Sequence, residues 1–302
     1  MSRRTLTAWW LRDSRPGHDS QVRGLVAALA RDVDLAVIEI AVPPLRRLLF
    51  GADPCAGLLP PDLLLAAGHA THLPLLLARR RHGGRSVVLM RPSLPLSWFD
   101  LCLVPEHDGV RPGEHVELTH GVVNAVQPGP AERDGTGLLL VGGPSRHHDW
   151  DADDLLAQVR AIVAREPQRA WTLTTSRRTP ASFPAQVAAL GLDKLEVLPG
   201  EATPPGWLAQ RLTTAEVAWV SEDSVSMVYE ALTGGARVGL LALPPRGGTG
   251  RVLRGLDRLL ADGWVTTHAR WCEGGELPPP RQGFDEAARC ARLILERWWP
   301  AA

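Results

Sequence analysis

The stretch 217–238, VAWVSEDSVSMVYEALTGGARV, constrains the fold more than any other part of the chain. Its apolar run VAWV reads as a strand buried on both faces, and the SEDS that follows supplies N-cap candidates for a helix starting near Asp223 or Ser224. That helix carries Val225, Met227, Val228 and Glu230 and stops at Gly234-Gly235, where a left-handed C-cap is easiest. A new apolar run at 237–241 predicts the next strand. Strand, short polar loop, helix and strand make the parallel α/β unit. Its loop is a ready anion site, because unpaired amides and the positive end of the helix dipole coincide there. Glu222 stands at the loop and Glu230 about two turns down the helix.

The same alternation runs through the chain. Strands are predicted at 5–11, 35–40, 62–67, 86–90 and 100–104, with helices at 20–31 and 72–81. The segment AVQPGPAERDGTG at 125–137 reads as a linker. Beyond it, strands are predicted at 138–141, 170–174, 196–198 and 217–220, and helices at 151–165, 181–190 and 206–213. The expected fold class is therefore α/β: two Rossmann-like domains facing a central cleft, at 1–130 and 131–283, with a last helix in 284–302 returning to the first domain. A chain of 302 residues is long enough for two such cores.

Composition removes several classes of function. Thirty-three basic residues balance thirty-three acidic ones, which gives no electrostatic case for a nucleic-acid partner. The four cysteines, Cys55, Cys102, Cys272 and Cys290, are scattered with no CxxC, so free thiols in a reducing compartment and no metal site are expected. The start MSRRTLTAWWLRDSR has no apolar core of a signal peptide, and no run reaches spanning length, so a cytoplasmic protein is expected.

Three loops of the second domain lie at predicted carboxyl ends of strands, where ligands of open α/β sheets bind. They are Gly142-Gly143-Pro144-Ser145, the run TTSRRTP at 174–180, and Ser221-Glu222-Asp223-Ser224. Glycine admits a backbone close to a phosphate, hydroxyls donate to its oxygens, and arginine gives charge-assisted bonds. Gly142, Gly143, Ser145, Thr175, Ser176, Arg177, Arg178, Ser221, Asp223, Ser224, Val225, Ser226 and Glu230 are accordingly the candidates for holding a pyrophosphate and its pentose. The same hydroxyls also suit helix capping, and the glycines a plain turn. In the first domain Asp13, Arg15, Gly17 and His18 follow the first strand; Asp13 or His18 is the candidate general base, the alternative being an Asp-stabilised turn. Glu106-His107-Asp108 is too tight for three groups to converge on one metal ion, and His69 and His72 read as cap and helix residues. The stretches 43–50, PPLRRLLF, and 79–82, RRRH, combine arginine with apolar residues, which suits either an anionic membrane or ordinary helix ends. Trp298-Trp299 reads as a cover for apolar surface.

Glu222 and Glu230 with Ala231, Gly235 and Val238 resemble the E-x7-E pattern of retaining GT-B glycosyltransferases, although Asp223-Ser224-Val225 replaces the usual glycine-rich triplet and Arg237 a common proline. The whole chain resembles the "elongated mitochondria" fission family and its bacterial branch. The resemblance rests on RPGHDSQ at 15–21 with Gly24-Leu25, on Phe99-Asp100-Leu101, and on VPEHD at 104–108. It extends to GGPS at 142–145, TTSRRTP at 174–180 and SEDSVSM at 221–227. The resemblance implies a GT-B-like fold, with plant members discussed as fission factors and bacterial ones as sugar-transfer enzymes; with the three polar loops and their arginines it leads to the expectation of a metal-independent glycosyltransferase. Its donor would be a nucleoside-diphosphate sugar, with no further cofactor, and its acceptor lipid-linked or part of the cell envelope, met at the inner face of the membrane. In that reading Glu230 grips the donor ribose, Glu222 lies near the donor sugar, and Asp13 or His18 activates the acceptor. An epimerase or hydrolase of the same fold, and a non-catalytic recruitment scaffold, are the alternatives.

Overall fold

A computed structural model describes residues 3–49, 53–247, 251–280 and 284–300; Phe50 of the proline–arginine stretch lies outside them. The chain divides into two units, one of residues 1–125 with 285–302 and one of 126–284.

The first unit opens with β1 (Thr5–Arg12), α1 (Pro16–Asp32), β2 (Asp34–Ala41), α2 (Leu45–Leu49), β3 (Leu63–Ala67), α3 (His69–His82), β4 (Arg85–Leu89), β5 (Leu101–Pro105) and β6 (Val116–Thr119). Its sheet runs β2-β1-β3-β4-β5-β6, with every pair parallel. Every residue of β3 and β5 is buried, as an apolar run covered on both faces requires. Helix α1 begins four residues earlier than predicted because Pro16 occupies its first turn, where a fixed φ and a missing N–H do no harm. Helix α3 begins at His69 rather than at 72: Gly68, at φ +93°, turns the chain directly out of β3. The short, half-polar β6 gives no sequence signal and was not expected.

The second unit contains β7 (Gly137–Val141), α4 (Ala152–Arg165), β8 (Trp171–Thr175), α5 (Phe183–Ala188), β9 (Leu195–Leu198), α6 (Trp207–Thr214), β10 (Val217–Ser221), α7 (Val225–Gly234), β11 (Arg237–Leu241), α8 (Arg251–Ala261), β12 (Val265–Thr267) and α9 (His268–Cys272). Its parallel sheet runs β12-β11-β10-β7-β8-β9. Two buried indoles fix the pairing. Trp171 lies beside Gly137 in register and Trp219 beside Gly239, and a Cβ on either glycine would stand 2.3 or 2.4 Å from the ring. Helix α7 ends at Gly235 in the left-handed region, as the Gly-Gly pair predicts.

The break between units falls at 125/126 rather than at 130, because the expected linker belongs to the second unit. Val126 is in its core, the Gly129 amide donates to the Gly234 carbonyl at 3.2 Å, and Arg133 donates to the Thr213 carbonyl at 2.7 Å. Phe284 likewise stays in the second unit, against Trp264 and Tyr229. Asp285 then caps the last helix, α10 (Glu286–Trp298), by accepting from the Ala288 amide at 2.9 Å. Ala287, Cys290, Ala291 and Ile294 of α10 lie in the first unit's core with Val22, Leu25 and Leu29 of α1. The cysteines are unpaired, and no described helix is long and apolar enough to cross a membrane.

Candidate functional site

In the second unit the strand order reverses between β7 and β10, the point where open α/β sheets bind ligands. Three loops interlock there around one carboxylate. The Asp223 side chain has no exposed surface. Its Oδ1 accepts from the Ser221 hydroxyl at 2.6 Å, and its Oδ2 from the Gly143 amide at 3.1 Å, the Ser224 hydroxyl at 3.1 Å and the Arg178 guanidinium at 2.7 Å. Ser221 in turn accepts from the Gly142 amide at 2.7 Å, and Arg178 also donates to the Ser224 hydroxyl at 2.9 Å and the Gly143 carbonyl at 3.2 Å. Only glycine fits at either position of the pair: a Cβ on Gly142 would lie 2.2 Å from Asp223 Oδ2, and one on Gly143 2.2 Å from the Arg178 carbonyl oxygen. A buried carboxylate is tolerable when its lone pairs are filled in this way.

Asp223, Ser221, Ser224 and Arg178, expected to face a ligand, thus bind one another. Thr175 accepts from the Gly200 amide at 3.2 Å, and Ser176 from the Arg178 amide at 3.1 Å. Ser145 closes its own turn, accepting from the amides of His147 and His148, both at 3.1 Å. The interlock leaves the start of α7 open. Its N-cap, Ser224, makes no side-chain cap bond, and the amides of Val225 and Ser226 have no acceptor among the described residues. Arg177 is exposed and makes no ion pair or hydrogen bond there either. Uncapped amides, a helix dipole and an unpaired guanidinium suit an anion.

Glu230 lies about one and a half turns further along α7, and α-helical side chains lean toward the N-terminus. It retains some accessible surface, yet protein surrounds most of it and no described donor reaches its carboxylate. Burial alone pushes its pKa up to about 7. Glu222 is also raised, first by burial and further by the Asp223 and Asp257 carboxylates, against a 3.4 Å bond from the Leu243 amide.

The first unit has its own reversal, between β1 and β3. Asp13, after β1, is 6% exposed and takes the His18 ring Nδ1 at 2.8 Å. Its Oδ1 accepts from the Arg15 amide at 3.2 Å across a turn in which Ser14 has φ +60°. The imidazole lies against Gly68, where a Cβ would be 2.2 Å from Nδ1. An ionised Asp13 holds the tautomer with hydrogen on Nδ1, which leaves Nε2 to accept a proton. Gly17, expected beside this pair, opens α1 and has no close neighbour.

Some participants left no trace in local sequence. Thr179 accepts from the Ser176 amide at 2.9 Å and donates to the Val141 carbonyl at 3.1 Å, which ties β8's loop to β7. His148 is buried, with Nδ1 unpaired and its pKa lowered by burial despite the attraction of Asp223. His69 and His72 sit in α3 as read, but both Nδ1 atoms also meet Ser93 Oγ, at 2.5 and 3.1 Å. Glu106 of the EHD tripeptide pairs with His120 at 3.2 Å, and among the described residues no group of three His, Cys, Asp or Glu could hold a metal ion.

The family model of the mitochondrial fission ELM1 proteins matches residues 16–298. The chain belongs to that family. No curated protein matches this ELM1-family chain significantly. Among solved structures it is similar to a Listeria monocytogenes protein assigned as a UDP-N-acetylglucosamine 2-epimerase, at 13% identity over 99% of this chain and 98% of that one, TM-score 0.60. It is similar also to the UDP-GlcNAc 2-epimerase of Neisseria meningitidis bound to UDP-GlcNAc, at 11% identity over 97% and 100%, TM-score 0.57. A third is Phytolacca americana UGT2 complexed with UDP-2fluoro-glucose and pterostilbene, at 9% identity over 98% and 90%, TM-score 0.51. At these identities the likeness is one of fold, the two-domain α/β architecture of GT-B proteins.

Proposed function

We propose that the chain is a glycosyltransferase that draws a sugar from a nucleoside-diphosphate donor held by the second unit and delivers it to an acceptor bound by the first. The observation that carries this reading is Glu230. A largely enclosed carboxylate with no donor among the described residues is costly to the free protein, and a ribose diol is the kind of ligand that supplies two hydroxyl donors to it. The α7 amides and Arg177 are the groups for the diphosphate, and they stabilise the charge that develops as it leaves. His18, oriented by Asp13, takes the acceptor's hydroxyl proton; the acceptor oxygen bonds to the sugar's anomeric carbon, and the bond to the diphosphate breaks with its electron pair. Glu222 attends the donor sugar, and the Glu222–Glu230 spacing favours retention of anomeric configuration, for which the acceptor oxygen must enter on the face that the diphosphate leaves. The scheme calls for no cofactor or metal ion beyond the donor, and its use of nucleotide sugars suits a cytoplasmic protein. Exposed Arg46 and Arg47, with Leu59 and Trp98 also exposed, suit contact with an anionic membrane that carries a lipid-linked acceptor.

Calorimetric titration with uridine, guanosine, cytidine and thymidine diphosphates tests the donor site: one should bind, and Glu230→Ala should abolish it. If the folded protein binds none, the reading fails. Incubating the matching sugar donor alone distinguishes transfer from epimerisation or hydrolysis, since inversion at a sugar carbon or free sugar would then appear without an acceptor. Product NMR reports the anomeric outcome. A scaffold would keep its cellular role in Glu230→Ala and Arg177→Ala.

A further inference from the structure

A cavity of about 610 Å³ lies at the carboxyl end of the first unit's sheet. Its polar lining is Asp13, His69, His72 and Ser93, with both imidazoles meeting Ser93 Oγ; its apolar lining is Val42, Pro43, Pro44, Leu73, Pro74 and Leu94. Among the described residues no arginine or lysine lines it. Its one carboxylate among the described residues is Asp13, paired with His18 at 2.8 Å and with the Arg15 guanidinium, outside the lining, at 3.9 Å. Burial, with the nearby His69 and His18, depresses His72 to about 4, so that imidazole is uncharged at neutral pH. An anionic head would therefore meet a carboxylate and no arginine or lysine on the described walls, whereas a hydroxyl would meet acceptors. A further acceptor comes from the helix. Pro74 has no N–H, so the Ala70 carbonyl, also on the wall, loses its ordinary helical donor. A bare sugar would find few hydrogen-bond partners in this lining and bury its remaining hydroxyls against proline and leucine.

We propose that this cavity takes a neutral acceptor with an apolar body and a single reactive hydroxyl, the hydroxyl toward Asp13 and the body against the proline and leucine walls. As an acceptor site it rests on the transferase reading; as a binding site it stands apart from it. The volume is that of a drug-sized molecule, so the acceptor, or the part of it that enters, is an aromatic or short aliphatic alcohol.

The test is fluorescence titration of the full chain with 1-naphthol and with 1-naphthyl phosphate. The neutral phenol should bind at least about tenfold more tightly than the phosphate. Ala70→Trp fills the cavity from an exposed position and should weaken naphthol by about tenfold or more; Pro44→Trp, also at an exposed wall position, does the same should the first variant fold poorly. Tighter binding of the phosphate, or naphthol binding indifferent to both variants, overturns the proposal. Nucleoside-diphosphate titration of the same samples separates the two readings. If it fails while naphthol binds, the donor assignment falls and the cavity stands; if it succeeds while naphthol does not bind, the cavity assignment alone falls.

Discussion

Both units place a buried aspartate at the point where strand order reverses, and the two carboxylates are used in opposite ways. Asp223 is sealed: three loops and a guanidinium close on it, and what remains for a ligand is main-chain amide, Arg177 and the unpartnered Glu230. Asp13 is nearly as buried, yet its closest partner is a titratable imidazole, its other donors among the described residues come only from Arg15 of its own turn, and it borders a largely apolar cavity. In the proposed scheme the sealed carboxylate fixes the shape of the diphosphate site, and the other orients the base beside the acceptor cavity. Burial of an acidic side chain thus says little about its role until its donors are counted.

The largest expected effect comes from removing the sealed carboxylate. Asp223→Ala removes the acceptor shared by all three loops, leaves Arg178 without its carboxylate, and should destabilise the protein by about 3–5 kcal/mol in urea unfolding, whereas Asp13→Ala should cost about 1–2 kcal/mol. Equal losses would break the comparison.

Next comes a substitution that should stabilise. The folded-state pKa of Glu230 is raised to about 7 from 4.5, so between those values the folded protein binds more protons than the unfolded chain, and stability falls as pH rises. Glu230→Gln removes that penalty. It should be more stable than wild type by up to about 3 kcal/mol at pH 8 and no more stable near pH 4.5. A variant equally or less stable at pH 8 would mean that Glu230 has a protein partner.

The arginine pair sharpens the contrast within one loop. Arg177→Ala should leave the unfolding midpoint unchanged and weaken nucleoside-diphosphate binding by about 1.5–3 kcal/mol, while Arg178→Ala should lower the midpoint because Asp223 loses its cation. Reversed roles would reassign the free cation. The smallest effect belongs to Ser145→Ala, which opens one turn, costs about 1 kcal/mol and leaves nucleotide affinity within twofold.

The alternation of apolar runs and capped helices made the α/β architecture legible. The strand–SEDS–helix–GG stretch even placed the α7 stop at Gly235. Elements shorter or less regular than that, such as β6 and β12, carry too little pattern to register. The candidate loops were legible as loops because Gly, Ser, Thr and Arg cluster in them. Their internal economy was not: Gly142 meets Ser221 across 79 positions and Arg178 meets Ser224 across 46, distances at which no local spacing rule operates. The cavity was hidden for the same reason, since Val42, His72 and Leu94 come from three separate segments. The sequence offers Glu230 as a carboxylate on a helix; that it has no donor is known only once its neighbours are in place.

The central claim is that Glu230 waits for a ligand that brings hydroxyl donors. Calorimetry of nucleoside-diphosphate binding at pH 7, in buffers of different ionisation enthalpy, tests it directly. Hydroxyls that donate to the ionised carboxylate lower its pKa, so wild type should release about half a proton per site more than Glu230→Gln, with affinity rising as pH passes through 7. Identical proton release and affinity in wild type and Glu230→Gln would contradict the claim.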